Sequence, residues 1–230
     1  MSREEIIIKE SALKKLDGLI ERYPTLECCR GSIEKAIGLM IGSIKAGGKI
    51  MTCGNGGSAA DAQHIVGELM KGFILPRPID QFNQKFSARI EREYPQHAEY
   101  LKSNLQSAIP AISLVGETAL TTAFSNDKAA DLIFAQQVLG LGRAGDVLIA
   151  ISTSGNSKNI IYAIEVARAM DVKTIGLTGR TGGKMASMVD VSINAPADIT
   201  HMIQEYHLPI YHALCLALEE EFFSTVKTLQ

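Results

Sequence analysis

Two kinds of apolar periodicity divide the chain. Over residues 3–46 the apolar positions Ile6, Leu13, Leu16 and Ile20, then Ile33, Ala36, Ile37, Met40, Ile41 and Ile44, recur mostly at spacings of three and four, the repeat of a helix with one buried face. The repeat breaks at Tyr23-Pro24-Thr25, where proline restricts the residue before it. Two helices are predicted, forming a hairpin over residues 1–45. Such a hairpin commonly builds an oligomer interface; its plainer use is to pad one side of a sheet.

From Lys49 the pattern changes to short apolar runs that end in Gly, Ser or Thr and are followed by helical stretches. KIMTCG (49–54), PAISLVG (110–116), DVLIAIS (146–152) and KTIGLTG (173–179) are the clearest, with DVSINA (190–195) a weaker fifth. The runs are apolar on both faces, as strands of a parallel sheet covered by helices on both sides must be. The alternation predicts an α/β fold, a three-layer αβα sandwich on a five-stranded parallel sheet, over residues 46–230. Ligands of such folds bind beyond the carboxyl ends of the strands, so the residues just after each run are where chemistry is expected. The stretch at about 72–109 interrupts the rhythm. It contains Pro76, Pro78 and Pro95 and then mixed charge with helical periodicity, and it reads as an insertion made of a loop and a solvated helix.

Composition narrows the function. The 230 residues are 46% hydrophobic and 21% charged with a formal net charge of −2, which excludes disorder and any global positive field for DNA, RNA or an anionic membrane. The four cysteines form no paired framework, so a reducing cytoplasm is expected. The first residues are acidic where a secretion signal would be basic, and the apolar run there is only Ile6 to Ile8. No stretch approaches the roughly 20 apolar residues of a membrane span.

Two strand-end segments carry the candidate chemistry. CGNGGSAADAQH (53–64) offers Gly54, Gly56 and Gly57 for close backbone approach and Ser58 at a helix start; ISTSGNSKN (151–159) offers Ser152, Thr153, Ser154 and Ser157. Free N–H groups at helix starts, together with hydroxyls, suit a phosphate even without Lys or Arg. GNGGSA is neither a P-loop nor G-x-G-x-x-G, which disfavours nucleotides. His64 and Glu68 follow at i and i+4, on one face of the helix after the first segment. HMIQEYHLPIYH gathers His201, Gln204, Glu205, His207 and His212, but Pro209 leaves open whether Gln204 and His212 share a helix.

CGNGGS, the H-I-V-G-E of 64–68, Ser125-Asn126-Asp127, GDVLIAISTSGNS, LTGRTGGKM and IQEYHLPIYH together resemble the sugar isomerase domain family, and within it the phosphoheptose isomerases. The resemblance implies an aldose-ketose isomerase, interconverting sedoheptulose 7-phosphate and a heptose 7-phosphate through an enediol. It implies Glu68 and His212 as acid/base catalysts, and His64, Glu68, Gln204 and His212 around one Zn2+ per subunit. Asn55, Gly56, Gly57, Ser58 and Gln204 would contact the sugar, Asn126 and Asp127 its hydroxyls, and Ser152, Thr153, Ser154 and Ser157 the phosphate. The family is usually a homotetramer with shared sites. The chain departs from the pattern at His201, where an Asp is usual, at Glu117, and in the length of the insertion. The alternative is a non-catalytic member of the family that binds a phosphosugar, or a protein partner such as a replication initiator, as a regulatory module.

Overall fold

A computed structural model describes residues 7–224. Helix α1 (Glu10–Arg22) and helix α2 (Arg30–Lys45) are separated by a 3-10 turn at Pro24–Cys29, where the sequence breaks. Residues 3–6 of the predicted first helix lie outside the described residues. Then follow β1 (Ile50–Gly54), α3 (Gly57–Met70), three short helices α4 (Ile79–Phe82), α5 (Gln84–Glu93) and α6 (Pro95–Asn104), and β2 (Ala111–Ser113). Helix α7 (Thr118–Phe124) runs through a π turn at Ser125–Ala129 and a 3-10 turn into α8 (Ile133–Leu141). The chain ends with β3 (Val147–Ile151), α9 (Lys158–Ala169), β4 (Lys173–Thr178), β5 (Val191–Asn194) and α10 (Thr200–Phe223).

All five strands are parallel, in the order β2-β1-β3-β4-β5. Both faces of β1 and β3 are buried, which is why their sequences read as continuous apolar runs. On one face Ile50, Ile149, Ile151, Ile175 and Ile193 pack with α1, α2, α3 and α10; on the other Met51, Cys53, Leu148 and Ala150 pack with α8 and α9. The N-terminal helices belong to the first of these cores: Ala12, Leu16 and Leu19 of α1 are buried in it, mainly against α10. The stripe of α1 thus packs on α10 and α2, and that of α2 packs on the sheet.

The insertion differs from its sequence reading. It forms three short helices in place of one, because Asn83 and Tyr94 leave helical geometry and Pro95 restarts it as a first-turn residue. Helix α10 settles the question that Pro209 raises: the helix is continuous from Thr200 to Phe223 with the proline inside it. The carbonyl that Pro209 leaves without a donor belongs to Glu205, an exposed residue where water can serve it. Gln204 and His212 therefore lie on one helix.

Candidate active site

The strand order reverses between β1 and β3, since β2 returns to one side of β1 and β3 to the other. A crevice opens at the carboxyl ends of two such strands. The two Gly/Ser-rich segments are the loops that leave these two strands. They are joined by a reciprocal amide pair, Asn55 Nδ2 to Asn159 Oδ1 at 2.9 Å and Asn159 Nδ2 to Asn55 Oδ1 at 2.8 Å. Asn159 was not singled out in the sequence, although it lies within ISTSGNSKN.

Neither α3 nor α9 has a side-chain cap. At the start of α3 the Ser58 and Ala59 N–H groups already donate to the Asn55 and Gly56 carbonyls, whereas the Lys158 and Asn159 N–H groups that open α9 donate to no acceptor among the described residues and are available to an anion. Ser157, at the start of α9, meets Ser152 at 3.1 Å between hydroxyls. Ser154 accepts the Asn156 N–H, and the carbonyl of Thr153 accepts the Gly179 N–H. Gly155 has φ +63, and a Cβ there would lie 2.0 Å from the Gly182 carbonyl oxygen, so the LTGRTGG turn grips the loop at a point only glycine permits. Gly56 turns the chain into α3 at φ +56, and Ser58 is buried in its first turn. At Gly57 a Cβ would lie 2.4 Å from Gln204 Nε2, so the Gln204 amide rests on the start of α3.

Two turns further along α3, His64 Nε2 and Glu68 Oε1 are 3.2 Å apart, and Lys71 Nζ bonds Glu68 Oε2 at 3.1 Å. His212 comes in from α10, its ring centroid 5.0 Å from that of His64 and 5.4 Å from that of Phe73. Its Nε2 is buried without a hydrogen-bond partner. Burial, and then the neighbouring His64, push the His212 imidazole below its usual range, which favours the neutral ring. His64 Nδ1 lies 3.0 Å from the Tyr211 hydroxyl, which donates to Asp61 Oδ1 at 3.2 Å. Asp61 and Tyr211 escaped the sequence reading; the only signal was their position three residues before His64 and one before His212.

The structure thus brings His64, Glu68 and His212 together, with Gln204 nearer the start of α3. Asn126 and Asp127 bond to each other at 2.9 Å on the exposed π turn, and among the described residues neither side chain bonds another site residue. His201 is exposed on the first turn of α10. His207 is fully buried, with Nε2 against the Thr178 carbonyl, and is a packing residue. Burial pushes the Cys29 and Cys53 thiols up to about 12, which keeps them protonated and unfit as nucleophiles or metal ligands.

Among the described residues, no group of three or more His, Cys, Asp or Glu side chains is arranged to hold a metal ion. The donor chemistry nevertheless fits zinc, with two imidazoles and a carboxylate side by side and a free, buried Nε2 on His212. Side-chain rotation would have to close the set.

The SIS domain family profile matches residues 19–109 and 106–179. The chain is 37% identical to the phosphoheptose isomerase of Akkermansia muciniphila over 90% of this chain and 94% of that protein. It is 41% identical to that of Rhodospirillum rubrum over 85% and 89%. Among solved structures, the phosphoheptose isomerase of Francisella tularensis superposes with a TM-score of 0.70 at 31% identity, covering 91% of this chain and 98% of that one. That of Neisseria gonorrhoeae gives 0.65 at 34%, covering 91% of each.

Proposed function

The chain belongs to the SIS domain family and to its phosphoheptose isomerases, and on that premise we propose that it interconverts sedoheptulose 7-phosphate and D-glycero-D-manno-heptose 7-phosphate with Glu68 and His212 as its proton carriers. The observation that supports this most directly is the spacing along α3. Two uncapped helix starts lie at the crevice, and His64 stands seven residues beyond Gly57, about 10 Å along the axis. A sugar lined at one end by the loop after β1 can span that length to reach the two proton carriers with its carbonyl end.

In the ketose-to-aldose direction the Glu68 carboxylate takes a proton from C1. The neutral His212 ring gives a proton to the carbonyl oxygen on C2, forming the enediol. His212 then takes the proton of the O1 hydroxyl as Glu68 returns its own to C2, so substrate and product have the same formula. Lys71 holds one oxygen of Glu68 in place, and His64 Nε2 stands 3.2 Å from the other. Zinc, held by His64, Glu68, Gln204 and His212, would supply polarisation of the carbonyl. The phosphate is held by the N–H groups at the start of α9 with Ser152, Thr153, Ser154 and Ser157; Asn55, Gly56, Gly57 and Ser58 line the sugar.

The working unit is an oligomer, a tetramer by the family's habit. Helix α7 buries none of its residues within the subunit although it carries Leu120 and Phe124, and Leu120 is 40% exposed. A second copy would cover it, and Asn126 and Asp127, which immediately follow α7, would face sugar hydroxyls in a shared site. Four free thiols suit a reducing, cytoplasmic setting, and no described helix is long and apolar enough to cross a membrane.

A panel of ketose phosphates tests the reading. Turnover is expected with sedoheptulose 7-phosphate, and Glu68→Gln should lower kcat by about 10²–10⁴-fold with the oligomer intact. Binding of a phosphosugar without turnover by the wild type would favour a regulatory role, and wild-type turnover by Glu68→Gln would remove Glu68 as the base.

A further inference from the structure

We infer that Tyr211 is a positioning residue: with Asp61 it fixes which nitrogen of His64 carries the proton, so that Nε2 faces Glu68 as an electron-pair donor. The Tyr211 side chain is buried on α10, and its hydroxyl lies between His64 Nδ1 at 3.0 Å and Asp61 Oδ1 at 3.2 Å. A hydroxyl has one proton to give. An ionised carboxylate only accepts, so the Tyr211 proton goes to Asp61, and the phenol oxygen must accept from His64 Nδ1–H. The neutral ring is then bare at Nε2.

That nitrogen lies 3.2 Å from Glu68 Oε1, so two acceptors face each other and call for a positive centre between them, a proton or a metal ion. The opposite tautomer would turn the Tyr211 proton toward His64 and strip Asp61 of its donor. The other oxygen of Asp61, Oδ2, is already buried without a partner, so the carboxylate would be left with no side-chain hydrogen bond. The carboxylate thus enforces the tautomer through an intervening phenol. Its role matches that of carboxylates bonded directly to the second nitrogen of metal-binding histidines. Tyr211 also packs edge-on to both rings, with centroids 5.3 Å from His64 and 5.0 Å from His212, so removing the hydroxyl alone leaves the packing in place.

The inference rests on the site reading above only for its metal arm. Selective 15N-histidine labelling of the metal-free full-length protein, in mildly alkaline buffer, reads the tautomer directly, with His64→Gln identifying the signal. Wild-type His64 should show the proton on Nδ1. Tyr211→Phe should shift it toward Nε2, and Asp61→Asn, which frees the phenol proton to turn to His64, should shift it the same way. Zinc affinity, measured against a chelator, should fall about 10–100-fold in Tyr211→Phe. An Nε2 proton in the wild type, or an unchanged tautomer in both variants, overturns the inference. A wild type that binds no zinc but shows the tautomer switch removes the metal from the reading of the site and leaves the positioning role standing. A lowered melting temperature with unchanged tautomer and affinity marks Tyr211 as structural and also overturns it.

Discussion

Glu219 and Arg77 form a fully buried ion pair, with side chains 1% and 0% exposed, and they should not be equally costly to remove. The Glu219 carboxylate accepts from the backbone N–H groups of Phe73, Ile74 and Leu75 at 2.8, 2.9 and 3.1 Å, and from Arg77 Nε and Nη2 at 3.0 and 2.8 Å. Arg77 in turn holds the Leu69 and Glu68 carbonyls at the end of α3. Breaking a buried pair from one side costs about 3–5 kcal/mol, because the other charge is stranded. In Arg77→Met the carboxylate keeps three N–H donors, so the loss should fall at the lower end. In Glu219→Leu a guanidinium and three N–H groups lose their acceptor together, so the loss should reach or exceed the upper end. At about 2–4 °C per kcal/mol for a chain of this size, the range is about 6–20 °C in melting temperature. Scanning fluorimetry at matched protomer concentration measures it. Because the same turn seats Phe73 against His212, kcat should fall in both variants. Equal melting temperatures for Glu219→Leu and wild type, or a larger loss for Arg77→Met, would refute the reasoning. The pH dependence has a definite sign. Burial raises the Glu219 carboxyl, but the three N–H groups and Arg77 outweigh it and hold the group below its ordinary 4.5. Its contribution is complete above that value and is lost as the pH falls through the lower folded-state value.

Three further outcomes are expected. Gly155→Ala, at φ +63 against the Gly182 carbonyl, should cost about 3 kcal/mol or more of stability, whereas Gly57→Ala meets only the movable end of Gln204 and should leave the melting temperature nearly unchanged while weakening substrate affinity. Burial pushes His207 down to about 4 from 6.5, so the unfolded chain binds the extra proton first; stability should drop by about 3 kcal/mol from pH 7 to pH 4. His207→Leu should flatten that slope in urea titrations, since the Thr178 carbonyl keeps its Ala195 N–H. Asn159→Ala, which unlocks Asn55, should raise KM several-fold with little change in kcat, read from initial rates.

The legibility of the chain followed the range of the forces involved. The sequence determined what depends on neighbours along it: the strands, clearest at β1, β3 and β4, which bury both faces; the break at Pro24; the Gly/Ser-rich helix starts; and the i, i+4 pairing of His64 with Glu68. The motif resemblance supplied the family on the same local basis. Only the tertiary structure decided what depends on groups far apart in the chain. It set the strand order that makes β1 and β3 neighbours across the crevice, and it carried α10 through Pro209 because packing along the helix outweighs one lost hydrogen bond. It supplied Phe73 to His212 through the Arg77–Glu219 pair and joined Tyr211 to Asp61 and His64. No periodicity marks such partners, because a hydrogen bond between residues about 150 positions apart depends on how two helices pack, and side-chain spacing along either helix carries no record of it.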